Sequence, residues 1–391
     1  MPTILIGGDI APIGRAVPLF ESGDAHAIFG DLLPELEAAD LVLANLEVPL
    51  IDRSAPIEKN GPVLGAPTGC AAGLRRGGVD AVTLANNHIL DHGPQGLEST
   101  VRACQEAGMA TFGVGRDRDE AGRILVRNVG GTRIGCLGMA EREWCIAGRN
   151  APGAYPLGAA EYVRAVRRCG EPYDFLVVLV HGGLDYHPYP TPALRDLCRF
   201  LVEEGARAVI CQHSHCPGCH EWYQDALIVY GQGNFVFESR RPMMAGWYQG
   251  FLVHLTLERG HCRARFVPLV QGLHGPGARR MPPEQEELFQ QALNDRAEAI
   301  QRAGYVEAEF LRACRERRSS YLSSLHGHGR LLRRLNARLN WLDWIYSSSK
   351  AINVLSVVGP AKDREVVEAL CTPGMLGPGA GAGPSLAKDD G

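Results

Sequence analysis

Six short apolar runs punctuate the first 235 residues, and each closes on small or polar side chains. They are TILIGG (3–8), DLVLANLE (40–47), DAVTLANN (80–87), DFLVVLVH (174–181), ARAVICQH (206–213) and ALIVYGQGNF (226–235). Near-continuous aliphatic and β-branched runs of this length predict strands covered on both faces. Between them, GLESTVRACQEAG (96–108) and TPALRDLCRFLVEEG (191–205) place apolar residues at helical spacing and predict amphipathic helices. Two more stretches, 123–139 and 248–269, read as β-hairpins and add antiparallel strands. The pattern predicts an α/β (α+β) core on mixed sheets.

The polar residues are placed as regularly as the apolar ones. Asp9, Asn45 with Glu47, Asn87 with His88, His181, and His213 with His215 all lie at or just past the C-terminal ends of these runs. In open α/β sheets that edge is where sites are built. The densest case is LANNHILDHG (84–93), where a buried-looking strand runs into two amides, two imidazoles and a carboxylate. Solubility needs only one Ser or Asp; this many donors points to a reaction site.

Hard divalent metals take carboxylate and amide oxygens, and borderline ones also accept imidazole. Asp9, Glu47, Asn87, His181, His213 and His215 offer both kinds. The His-x-His at 213–215, at a strand's end, predicts two rings on one side of the pleat. Two cations about 3.5–4 Å apart, bridged by one carboxylate, polarise an ester or amide and supply hydroxide at neutral pH. His88 suits the proton donor to the leaving group, since an imidazole titrates near working pH. Taken singly, each histidine reads as a hydrogen-bonded core or surface residue; jointly they predict a metal site.

GGD (7–9), DLVLANLEVPL (40–50), LANNHILDHG (84–93), VHGGLDY (180–186), CQHSH (211–215) and YGQGNFVF (230–237) occur in this order across about residues 3 to 270. Together they resemble the CapA-type poly-γ-glutamate capsule biosynthesis proteins of the calcineurin-like metallophosphoesterase superfamily. The resemblance implies a four-layer α-β-β-α sandwich of two mixed sheets (metallophosphatase-like) with a metal centre at the strand ends. It implies one or two divalent cations, Mn, Zn or Fe. By that resemblance Asp9 and His215 bind the first cation, Asn87, His181 and His213 hold the second, and Glu47 bridges. His88 is then the acid, with Asp91 or His92 orienting the cluster. Three departures stand out. Asp9-Ile10-Ala11 occupies the place of the usual Asp-x-His, which leaves the first cation one ligand short. CQHSH keeps only the third and fifth positions of the family's Gly-His-His-Pro-His. Glu47 stands where a bridging Asp is usual, extending the reach by one methylene.

Candidate substrate contacts are Lys59 and Asn60 in the loop before the third strand, Asn86, Asp185, Tyr186 and Asn234. Three of them also have a plainer reading: Lys59 as a solvated loop charge, Tyr186 as a ring packed beside Pro188 and Pro190, Asn234 as a turn residue. Cys216-x-x-Cys219 lacks a second ligand pair at matching spacing, and Pro217-Gly218 between them fits a turn. Neither a G-x-S-x-G elbow nor a G-x-x-x-x-G-K-[ST] phosphate loop occurs.

Composition narrows the class further. The formal charge is 40 − 44 = −4, which excludes a general nucleic-acid binder. The N-terminus has no basic n-region and no run long enough to span a membrane, so the expected location is cytoplasmic. Twelve cysteines, mostly single and in apolar settings, read as reduced thiols. Residues 1–275 are expected to form the catalytic domain, 276–371 a helical extension, and 372–391 a Gly/Pro-rich disordered tail. From Leu311 to Arg338 there are eight arginines against one glutamate. With Leu331, Leu335, Leu339 and Leu342 at helical spacing, the basic helix 311–346 is a candidate contact for a membrane surface or a partner, or it packs on its own domain. A homo-oligomer is also open. The sequence thus predicts a metal-dependent hydrolase of an anionic small-molecule or polymer substrate, a γ-glutamyl amide or a phosphoester, serving a poly-γ-glutamate-type polymer or natural product. The alternative is a non-catalytic accessory or scaffold subunit with a degenerate metal site.

Overall fold

The computed structural model describes residues 1–339 apart from 60, 240, 259, 260, 274 and 326–329. Asn60, the expected tail 372–391 and the part of segment 311–346 beyond Leu339 lie outside the described residues. The chain divides into two compact units, Met1–Phe310 and Leu311–Gly391.

In chain order the strands are β1 (Thr3–Ala11), β2 (Leu41–Leu46), β3 (Ala81–Thr83), β4 (Ala110–Phe112), β5 (Val114–Gly115) and β6 (Leu125–Val129). Next come β7 (Thr132–Ala140), β8 (Gly153–Ala154), β9 (Phe175–His181), β10 (Ala208–Gln212) and β11 (His220–Tyr223). The last are β12 (Ala226–Val229), β13 (Asn234–Phe237), β14 (Gln249–Glu258), β15 (His261–Gln271) and β16 (Ala278–Arg280). One large sheet has the order β16-β15-β14-β1-β2-β3-β4, with β13 also pairing β1; a second has β11-β12-β10-β9-β7-β6. Both are mixed: β1, β2, β3 and β4 run parallel, as do β7, β9, β10 and β12, while the two expected hairpins, β6–β7 and β14–β15, are antiparallel.

Three apolar clusters show why the runs are continuous. Ile4 and Ile6 of β1 meet Val177 and Leu179 of β9 in the core between the sheets. Leu5, one residue out of phase, packs with Phe20, Phe29 and Leu74 of the covering helices. On the other sheet, Leu176, Val178 and Val180 face Tyr162, Cys198 and Leu201 of helices Ala159–Arg168 and Pro192–Glu203. Every second residue is therefore buried on each side, and the layers run helix, sheet, sheet, helix.

The helices form where the sequence marks their starts. In Pro192–Glu203 the Thr191 hydroxyl accepts from Leu194 N at 3.1 Å, Pro192 opens the first turn, and Leu194, Cys198, Leu201 and Val202 are buried at helical spacing. The first unit extends past the expected break at 275. Helix Pro283–Ala299 belongs to it because Phe289 and Leu293 enter the core between the sheets. The run at 226–235, expected as one strand, is two: β12 lies in the second sheet and β13 in the first. All eleven cysteines among the described residues are thiols outside any disulfide.

Candidate metal centre

The parallel strands β1, β2 and β3 of one sheet and β9 and β10 of the other end at the same edge, and the polar residues meet there. Parallel register sets Asp9 beside Asn45 on one side and beside Asn234 on the other. That close approach depends on Gly8, where a Cβ would sit 2.1 Å from the Gly233 carbonyl oxygen. Across the gap, His181 pairs in register with Gln212, which leads directly into His213. Gln212 also ties the two sheets together: its amide donates to the Gly7 carbonyl at 2.9 Å and to Gln232 Oε1 at 3.2 Å.

Two donor groups share Glu47. One is Glu47, His181 and His213; the other is Asp9, Glu47 and His215, and in each the donor atoms lie within 4.8 Å of one another. In the first group His181 Nε2 is 3.1 Å from His213 Nδ1, 3.1 Å from Asn87 Oδ1 and 3.4 Å from Glu47 Oε1. Neighbouring donors around an octahedral cation with bonds of about 2.1 Å are about 3 Å apart, so this spacing suits a divalent ion. In the second group His215 Nδ1 is 3.8 Å from Asp9 Oδ2, and His215 Nε2 is 3.9 Å from Glu47 Oε1. Ala11 is buried at the end of β1 and brings no donor to it.

Glu47 carries the strongest chemical signal. Its side chain is fully buried, and neither carboxylate oxygen has a hydrogen-bond partner among the described residues. Burial, and then the nearby Asp9 carboxylate, push its pKa well above the usual range. A buried polar group without a partner is costly, and a carboxylate more so. The imidazoles complement it. Burial lowers His181 and His213 to about 4, leaving both neutral with lone pairs to offer. Burial alone would lower His215 too, but Glu47 and Asp9 outweigh it and raise its pKa.

Each ring is held from behind. His215 Nδ1 donates to Asn234 Oδ1 at 2.9 Å, and Asn234 Nδ2 donates to the Trp247 carbonyl at 3.1 Å. His213 Nε2 lies 3.2 Å from Asp185 Oδ1, which leaves Nδ1 facing the centre. Asn87 Nδ2 donates to Glu143 Oε2 at 3.2 Å, turning its carbonyl oxygen toward His181. Asp9 is held by Asn45 Nδ2 at 2.7 Å and by His213 N at 3.0 Å. Such outer partners fix the orientation of donors.

His88 enters from the side. Its Nδ1 donates to Asp91 Oδ2 at 2.6 Å, while Nε2 is 4.0 Å from Glu47 Oε1. Asp91 in turn accepts from Leu64 N at 2.7 Å and is paired with the ammonium of Lys59. Burial lowers the His88 pKa, with Asp91 opposing it. The ring thus presents Nε2 toward the donor cluster, placed to exchange a proton there. His92 faces elsewhere: its Nδ1 accepts from Ala55 N at 2.9 Å.

Several expected roles change. Lys59, expected in an exposed loop against substrate, is only 3% exposed in its side chain and bound to Asp91. Asn86, also a candidate contact, is fully buried and spent internally: Nδ2 donates to Asn45 Oδ1 and the Leu46 carbonyl, and Oδ1 accepts from His88 N. Asn234 orients His215 instead of facing outward, and Asp185 sits against His213. Tyr186 is half-buried with its ring 6.2 Å from that of Trp247. The pleat explanation for His213 and His215 also fails. Both lie past β10 with φ of 92° and 52°, so a left-handed turn directs the rings. Non-glycine residues there cost about 1–3 kcal/mol each, a strain that collects at functional sites. Glu143 was missed; it lies three residues past β7, at the same edge as the rest, and a strand-end search of the hairpin would have found it.

Residues 3–239 match the model of the family described as bacterial capsule synthesis protein PGA_cap. Capsule biosynthesis protein CapA of Bacillus anthracis is 27% identical over 247 residues, 61% of this chain and 60% of that protein. PGA biosynthesis protein CapA of Bacillus subtilis (strain 168) is 28% identical over 244 residues, 59% of this chain and 62% of that one. A probable polyglutamine synthesis accessory protein of Mycobacterium tuberculosis (strain ATCC 25618 / H37Rv) is 32% identical over 167 residues, 39% and 44% of the two chains. The chain thus spans 60% and 62% of the length of the two Bacillus relatives. Among solved structures, a hypothetical protein from Thermus thermophilus aligns at 17% identity and a TM-score of 0.44, covering 72% of this chain and all of that one. The span matched by the family model contains both donor groups, from Asp9 to His215, and the chain belongs to the bacterial capsule synthesis protein family PGA_cap.

Proposed function

We propose that this chain is a divalent-metal-dependent hydrolase that acts on an anionic substrate, a phosphoester or a γ-glutamyl-type amide, in the making or trimming of a poly-γ-glutamate-like polymer. The observation that carries this reading is the buried Glu47 carboxylate, without a hydrogen-bond partner and flanked by two sets of donors. Asn87, His181, His213 and Glu47 would hold one cation; Asp9, His215 and Glu47 would hold the other. When bound, such ions supply Lewis acidity and a nucleophile at neutral pH. The chain's own groups supply the rest. Asn234, Asp185 and Glu143 keep the donors aligned, Asp91 keeps His88 in the tautomer protonated at Nδ1, and the free Nε2 of His88 would take a proton from the attacking water and return it to the departing oxygen or nitrogen. The family and the names of the Bacillus relatives support the link to capsule and PGA synthesis.

A second reading has its own observation. Ala11 brings no donor to the Asp9–His215 group, and one relative is described as a synthesis accessory protein. In that reading the centre is incomplete and the chain assists a synthase without catalysing.

Metal-depleted protein reloaded with Mn²⁺, Zn²⁺ or Fe²⁺ and assayed on bis-(p-nitrophenyl) phosphate and on γ-glutamyl-p-nitroanilide separates the two. The hydrolase reading expects metal-dependent turnover that His88→Ala lowers by about 10²–10⁴-fold. Metal uptake without turnover on either substrate class favours the accessory reading, and turnover unchanged in His88→Ala removes the proton-transfer role.

A further inference from the structure

We propose that helix Arg330–Leu339 lies flat on an anionic lipid surface. Its sequence is RLLRRLNARL. At 1.5 Å per residue these ten residues span about 15 Å, half the roughly 30 Å of a bilayer core. Among the described residues no helix is long and apolar enough to cross.

Helical positions advance by about 100°, which gathers Leu331, Leu335, Leu339 and Leu332 into one arc about 100° wide. All four are exposed, at 72%, 41%, 69% and 44%. Asn336, about 40° beyond Leu332 around the helix, is fully buried, while the leucine stripe itself is left exposed. Arg333, Arg334 and Arg338 fall outside that arc, with Arg338 next to its edge. No acidic residue occurs between 330 and 339, although the whole chain is net negative. Positive charge is thus concentrated beside exposed leucine.

That combination fits one partner chemistry. Leucines enter the boundary between headgroups and acyl chains, while arginine stems lie along it and their guanidinium groups reach lipid phosphates. A second copy of the helix would bring arginines against arginines, and a neutral apolar groove would leave them without counter-charge. Phosphate headgroups meet both requirements.

The test is flotation of the full chain with vesicles of phosphatidylcholine alone or mixed with phosphatidylglycerol. The chain is expected to float with the mixed vesicles and to be released by high salt. Each of R334Q and R338Q should weaken partition by about fivefold. L331S/L335S/L339S should abolish it. These side chains are exposed, so circular dichroism of the variants should match wild type. Three outcomes overturn the proposal: no flotation with anionic vesicles, equal flotation with neutral ones, or a leucine triple variant that floats like wild type. A concentration-dependent dimer that only the leucine variant dissolves, without vesicle binding, would place a second copy on this face and overturn it as well.

Discussion

Glu47→Gln should make the metal-free protein more stable and shrink the stabilisation that metal adds. Donor atoms of Asp9 and Glu47 lie within 4.8 Å of each other in a buried site. Two carboxylates at that separation repel by about 3.5 kcal/mol at an effective dielectric constant of about 20. Protonation removes the repulsion at a cost of its own. Holding a carboxyl protonated above its ordinary pKa of 4.5 costs about 1.36 kcal/mol per pH unit. The metal-free wild type is therefore penalised near neutral pH in either state, by burial and repulsion when ionised and by proton uptake when neutral. Gln escapes both, and its amide can donate to Asp9.

The sign of the pH dependence follows from the raised pKa. A carboxyl whose folded pKa lies above its unfolded value costs nothing at low pH and destabilises progressively as pH rises above 4.5. The advantage of Glu47→Gln should therefore be near zero at about pH 4.5 and grow by up to about 1.4 kcal/mol per pH unit until the folded pKa is reached. With a cation at about 1,000 times its dissociation constant, wild type gains about 4 kcal/mol. The variant, which has lost the shared anionic ligand, should gain well under half of that. Urea unfolding of both proteins with chelator and with metal, at three pH values, measures all of this. A chelated variant no more stable than chelated wild type near neutral pH, or equal stabilisation of the two by metal, would refute a buried, cation-seeking Glu47 carboxylate.

Lys59→Met should destabilise by about 3–5 kcal/mol, because Asp91 is left charged and buried without its partner. Lys59→Met/Asp91→Asn should recover part of that loss in denaturant titrations, and a single-variant loss under about 1 kcal/mol would contradict the assignment. His220 gives a pH prediction away from the centre. It packs edge-on against Phe266 with no hydrogen-bond partner at Nδ1 among the described residues, and burial, helped by Arg296, lowers its pKa to about 4. Its contribution is complete above the ordinary 6.5 and is lost as pH falls from there to about 4, a change of at most about 3 kcal/mol. His220→Phe should lose correspondingly less stability than wild type over that interval; identical pH profiles would show that the imidazole does not charge on unfolding.

Much of this molecule was legible along the chain because its strands are covered on both faces. Continuous apolar runs marked β1, β2, β3, β9 and β10, and polar residues at their ends marked Asp9, Glu47, Asn87, His88, His181, His213 and His215. Residues whose meaning depends on what lies across the gap were not legible. Lys59 looks solvated in its loop until Asp91 is seen to bury it, and Glu143 is unremarkable until Asn87 is found donating to it.

The break inside ALIVYGQGNF shows the same limit at the level of the fold. Nothing in that stretch announces that β12 and β13 belong to different sheets. The chain changes sheets there because Gly233 takes a φ of 74° and Gln232 bonds across to the Phe251 carbonyl at 3.0 Å. Only after that crossing does Asn234 reach His215. Outside that stretch, sequence alone determined which polar residues lie at or just past strand ends, since apolar periodicity is a local property of the chain. Which of them share a cation, which hold another in place, and which are sealed from substrate was decided by two sheets meeting at one edge, because donor spacing of about 3 Å is set by backbone separated by tens or hundreds of residues.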